Sequence, residues 1–177
     1  MLGLIGSLAG LGAMDLYWKR AAPWVSEKLN DSSRAKSEGQ PRFPMDDISI
    51  FGPKYEEGET STDAFGRIMH KAITGKPPRS KEGLKILSYL VHYVYGMVQG
   101  GIYGMCRAQV PSRIDLIGGC IFGTSLWLLG DEIVVPLLGL QQGPTSISMA
   151  DHLNRWGAHL SYGCSTALTT QFLNRFL

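Results

Sequence analysis

Charge is segregated along this chain to a degree that a water-soluble fold does not need. Thirteen of the 17 Lys and Arg residues and ten of the 15 Asp and Glu residues lie between Lys19 and Lys85, so the other 110 positions carry only nine charges. A mean hydropathy of −0.01 therefore averages two different materials. Uncharged windows cover 1–14, 86–106, 116–130, 133–150 and 156–174, and several approach the roughly 20 residues that a helix needs to cross hydrocarbon. The alternative, a soluble helical bundle with buried helices, requires a solvated face on each outer helix. The chain after Ile86 offers almost no charged residues to make one.

The pattern predicts a single all-α domain: an integral membrane bundle of four transmembrane helices at about 2–18, 86–106, 114–135 and 156–175, with a long polar connector at about 21–82. The first apolar stretch has no basic residue before it and no small-x-small cleavage site, so it reads as a retained helix. It ends in Asp15, Tyr17, Trp18, Lys19 and Arg20, the residues of an interfacial belt. Pro23, Pro41, Pro44, Pro53, Pro77 and Pro78 interrupt the connector. One amphipathic helix is expected within it, at about 62–74, capped by Ser61 or Thr62 and closed by Gly75. The third span meets Asp131, Glu132 and then Pro136, which predicts either a kinked continuation or a re-entrant segment over 133–140.

Glycines recur at spacings of three and four: Gly3, Gly6 and Gly10 in the first span, Gly96, Gly100 and Gly104 in the second, Gly119 and Gly123 in the third. Small residues let helices approach closely where hydrophobicity cannot drive association. These glycine faces predict close packing in the bundle and a structural, assembly or binding protein that associates with a second copy of the chain or another membrane subunit, the alternative being a small proton- or ion-handling protein. Basic residues concentrate on the connector side (Lys19, Arg20, Lys28, Lys76, Arg79, Lys81, Lys85), against Arg107, Arg113 and Arg175 on the other. The positive-inside bias then places the connector in the cytoplasm and both termini outside. Acids interleave with these bases, so nucleic acid is not an expected partner.

His-x-x-Tyr-Gly occurs twice, at His92 to Gly96 and at His159 to Gly163. With alternating spans, both copies and the carboxylates Asp15, Asp131 and Glu132 fall in one leaflet. The resulting candidate cluster is Asp15, His92, Tyr95, Asp131, Glu132, His159 and Tyr162. Ionisable groups in lipid are costly and normally paired or facing water. Three chemistries fit such a set: a structural network fixing helix register, a proton relay or ion site, and haem or metal ligation by two facing histidines. Cys106, Cys120 and Cys164 lie in or at the ends of apolar segments with no metal-type spacing, and indicate neither a disulfide framework nor a zinc site. Phosphate-loop, Ser-His-Asp and zinc-protease patterns are absent, so no catalytic motif supports an enzyme.

His92, Gly96, Gly100 and Tyr103-Gly104 in the second span, with Trp127, Gly130-Asp131-Glu132, Pro136 and Gly139 in the third, resemble the YagU-like family. The likeness covers the second and third spans best. It implies a small multi-pass protein of the bacterial inner membrane and supplies no catalytic residues.

Overall fold

A computed structural model describes residues 2–33, 45–109 and 115–176, and among these the chain is all-helical. Four long helical elements form the body: α1 (Leu2–Arg20), α4 (Lys81–Gln109), α5 (Asp115–Ser125) and α7 (Met149–Phe176). The helix α1 packs between α4 and α7, and α7 packs between α1 and α5. Each of these neighbours runs antiparallel, as the paired residues require: Gly3 faces Gly104 while Leu11 faces Gly96, and Gly119 faces Gly163 while Gly123 faces His159. Arg113 and the rest of the short link at 110–114 lie outside the described residues, as does the connector at 34–44.

The glycines explain why α1 can sit between two partners. A methyl group on Gly3 would come within 2.9 Å of the Gly104 Cα, and one on Gly6 within 2.8 Å of the Thr166 carbonyl oxygen. On Gly10 it would lie 2.7 Å from the Tyr162 carbonyl oxygen. Gly3, Ser7 and Leu11 thus form the seam to α4, and Gly6, Gly10 and Met14 lie on the buried side toward α7. Glycine costs a helix roughly 1 kcal/mol per position relative to alanine, and close backbone approach is what offsets that cost here.

Several boundaries differ from expectation. The chain remains helical past Arg20, through a turn at Ala21 into α2 (Ala22–Ser33). Pro23 is accommodated because it falls in the first turn of α2, where its missing N–H has no helical partner to lose. The amphipathic helix is α3 (Ser61–Thr74), and its cap is Thr60 rather than Ser61 or Thr62: Thr60 and Asp63 form a reciprocal capping box, and Gly75 closes the helix at φ 75°. It packs on α4, with Ala64 buried and Thr62 Oγ1 2.7 Å from Ser88 Oγ. The third helical element neither ends at the acids nor forms a separate re-entrant segment. It continues from α5 as a nine-residue π-helix, Leu126–Val134, and finishes in a single turn, α6 (Val135–Leu137), that contains Pro136.

The connector is also less solvated than its composition suggests. Residues 45–55 dock on the reversal after α6: Ile50 donates its N–H to the Leu137 carbonyl at 3.0 Å, Lys54 to Gly139 at 2.7 Å, and Gly143 donates to Asp46 at 3.0 Å. Gly139 holds φ 74° with the Ser49 hydroxyl pressed against it, so both its backbone angle and its surroundings exclude a side chain.

Arg67 then ties the connector to α3. Its guanidinium grips Glu59 in a bidentate pair at 2.7 and 2.8 Å and donates to the Lys54 carbonyl at 2.7 Å. The bond from Arg67 holds the Glu59 carboxyl below its usual range, and the Thr60 hydroxyl helps hold Asp63 low despite its partial burial. Carboxylates depressed in the folded state contribute stability above their unfolded range and lose it as pH falls through the folded values. Protection factors for the amides over 54–63, corrected for the intrinsic pH dependence of exchange, are therefore expected to fall as pH drops below the usual carboxylate range, and Arg67→Ala is expected to produce the same loss of protection at neutral pH.

Many large apolar side chains stand exposed along the helices, and the buried positions include polar as well as apolar residues. Leu4, Ile5, Leu8 and Leu16 on α1, Leu90, Val94, Val98 and Ile102 on α4, and Ile117, Ile121, Leu128 and Leu129 on the third element are all exposed. Ser7, Asp115, Glu132, Asn154 and Thr166 are buried. Among the described residues one helix, Asp115–Leu137, is long and apolar enough by length and composition alone to cross a membrane.

Candidate functional site

The π-helix determines the site. Its wider turn carries Asp131 and Glu132 toward α7 at the connector end of the bundle, and the interior of the π stretch buries Glu132. Extended π-helix is rare, and where it interrupts an α-helix it commonly marks a functional position.

Glu132 Oε1 lies 2.8 Å from His152 Nδ1, and the other ring nitrogen, Nε2, lies 2.9 Å from the Pro144 carbonyl oxygen. The Glu132 side chain is only 8% exposed and that of His152 20%. A carbonyl oxygen can only accept, so Nε2 carries a proton. The short Nδ1 to Oε1 contact then needs a proton of its own. Either His152 is an imidazolium beside a carboxylate, or a neutral imidazole accepts from a carboxylic acid. Both states hold one exchangeable proton between the two groups.

A second pair lies two turns further along α7. His159 Nδ1 is 2.9 Å from the Arg155 carbonyl oxygen and 3.8 Å from Asp131 Oδ2. Arg155 donates to Gln141 Oε1 at 2.7 Å, and Gln141 in turn donates to the Asp131 carbonyl. Toward the other side of the bundle, His92 on α4 lies within electrostatic reach of Asp15, Asp131 and His159. Asp15 accepts a 2.8 Å hydrogen bond from Tyr93. A row of polar groups thus crosses the connector end of the bundle, from Glu132 and His152 through Asp131, His159 and His92 to Asp15 and Tyr93.

The structure redistributes several residues of the expected cluster. Tyr95 is 50% exposed, with its hydroxyl beside Gly130 and within electrostatic reach of Asp131 at the edge of the row, while its neighbour Tyr93 takes the place beside Asp15. Tyr162 is buried, but its hydroxyl donates to the Gly96 carbonyl at 2.5 Å and braces α7 against α4 rather than meeting a carboxylate. Among the described residues no group of three or more His, Cys, Asp or Glu is arranged to hold a metal ion. His152, Arg155 and Gln141 were not expected. The first two have a legible signal, since His152, Arg155 and His159 are spaced three and four apart on one face of α7. Nothing in the local sequence marks Gln141.

At the opposite end of the bundle Arg107 and Asp115 form an ion pair that joins the end of α4 to the start of α5. No family model matches the chain, and no curated protein or solved structure matches it either.

Proposed function

We infer that this chain is a multi-pass protein of the bacterial inner membrane, with α1, α4, the α5 to α6 element and α7 as four spans, and that it holds and exchanges protons at its connector-side polar row. The observation that carries the proton-handling reading is the Glu132–His152–Pro144 arrangement, whose two short contacts place one shared proton between carboxylate and imidazole. The exposed apolar faces and the glycine contacts between helices support the membrane setting, because a bilayer favours apolar side chains outside and small residues between helices. Kinship with the YagU-like family is proposed on the same residues that carry the resemblance.

Proton exchange is tested in proteoliposomes carrying a potassium gradient, valinomycin and a trapped pH-sensitive dye. The parent is expected to acidify the lumen at least tenfold faster than empty vesicles, and Glu132→Gln, which keeps the shape but cannot take up the proton, to return the rate to background. A parent no faster than empty vesicles overturns the reading.

The second reading is a structural or assembly protein in the same membrane, joined to a second copy or another subunit. The glycine faces no longer favour it, since Gly3, Gly6, Gly10, Gly96, Gly100, Gly119 and Gly123 all meet helices of this chain. Its specific support is the outward apolar face of α3, where Phe65, Met69 and Ile73 are exposed.

A further inference from the structure

Helices α5 and α7 approach each other through backbone at two glycines, each followed in sequence by a cysteine. A methyl group on Gly119 would lie 2.9 Å from the Cys164 Cα, and one on Gly163 would lie 2.7 Å from the Gly123 amide nitrogen. With no side chain to hold the helices apart, Cys120 and Cys164 face each other across the seam with their Sγ atoms 3.2 Å apart. Both are half-buried, whereas Cys106, at the end of α4, is exposed.

We propose that Cys120 and Cys164 are a disulfide-forming pair that locks α5 to α7 in the mature protein. A disulfide has Sγ atoms about 2.05 Å apart and accepts only a narrow range of backbone separations. The glycine seam brings these backbones into direct contact, and a sulfur displacement of about 1 Å closes the bond. Cys120 lies five residues into α5 from Asp115 and Cys164 faces it from the middle of α7, so the pair sits inside the bundle in the half away from the connector. The proposal rests on the membrane orientation inferred above, which puts that half toward the extracytoplasmic side, where disulfides persist.

The oxidant is a disulfide, protein-borne or of low molecular weight. The thiolate of one cysteine attacks it, forming a mixed disulfide and releasing one thiol. The second thiolate attacks the mixed disulfide at the cysteine sulfur and releases the other thiol. The pair gives up two electrons and two protons, and the oxidant's disulfide becomes two thiols.

The test uses the full chain, extracted from membranes into denaturant with N-ethylmaleimide and no reductant, and weighed intact. One label per chain, on Cys106, is the expected result, rising to three when reduction precedes labelling. Cys120→Ser is expected to carry two labels without reduction. Three labels on the unreduced parent overturn the proposal. Diamide treatment of native membranes then locates the fault: closure by diamide leaves the α5 to α7 contact intact and faults the orientation, while no closure faults the contact itself.

Discussion

Gly100→Leu is expected to destabilise the bundle by about 3 kcal/mol, at the upper end of what overpacking a close contact costs. A side chain at position 100 would run into the Ser7 side chain and come within 2.8 Å of the Gly3 carbonyl oxygen. These atoms belong to α1, which cannot retreat because its far side is held against α7 at Gly6 and Gly10. A displaced α1 would also break the Tyr93 to Asp15 hydrogen bond. Gly12→Leu is the matched control, since nothing lies within 4 Å of the space its side chain would enter. In detergent, the Gly100 variant is expected to melt well below the parent or to lose monodispersity, and the Gly12 variant to melt with it. Identical melting of all three would mean that α4 does not meet α1 along this face.

Removing the imidazole at the site has an effect of similar size and a different pH dependence. His152→Ala leaves Glu132 buried without its partner and the Pro144 carbonyl without its donor. Breaking a buried ionic pair by removing one member typically costs 3–5 kcal/mol, and the partial exposure of the imidazole places the expectation at about 3 kcal/mol. The deficit should shrink on acidification, because an isolated buried carboxylate lowers its cost by taking up a proton. Glu132→Gln should cost less, about 1 kcal/mol, since the amide can donate to the Nδ1 lone pair. Melting curves of the parent and both variants across pH 4–8 separate the two. A pH-independent deficit in His152→Ala would contradict the pairing.

The helical character of the bundle was legible wherever residue type and spacing act through simple geometry. Glycines at i and i+4 mark a close face whatever the helix packs against, which is why Gly96, Gly100 and Gly104 could be singled out before any partner was known. The identity of the partner was not legible, because the same stripe fits another helix of the chain or a second subunit. Tyr93 and Tyr95 show the limit of a face argument. Both are near His92 on α4, and only the position of α1 decides that the first meets Asp15 while the second is exposed. The π-helix was invisible for a related reason: one extra residue per turn shifts the facing of every later side chain, and no residue type encodes it. Without that shift Glu132 does not read as the partner of His152, and His152 itself stood in what composition marks as a polar loop. The docking of 45–55 on 137–143 is made by backbone hydrogen bonds, whose only mark in the sequence is the glycines Gly139 and Gly143 that admit the close approach.

The central claim is that Glu132 and His152 share one proton while Nε2 of the imidazole is committed to Pro144. Nitrogen-15 solid-state NMR on histidine-labelled protein in lipid bilayers, with His152 assigned by its alanine variant, measures this directly. The account predicts that Nε2 of His152 carries the proton bonded to Pro144 and that Nδ1 shows the signature of a strong hydrogen bond to Glu132. A bare Nε2, or an Nδ1 whose signal is unchanged in Glu132→Gln, would contradict it.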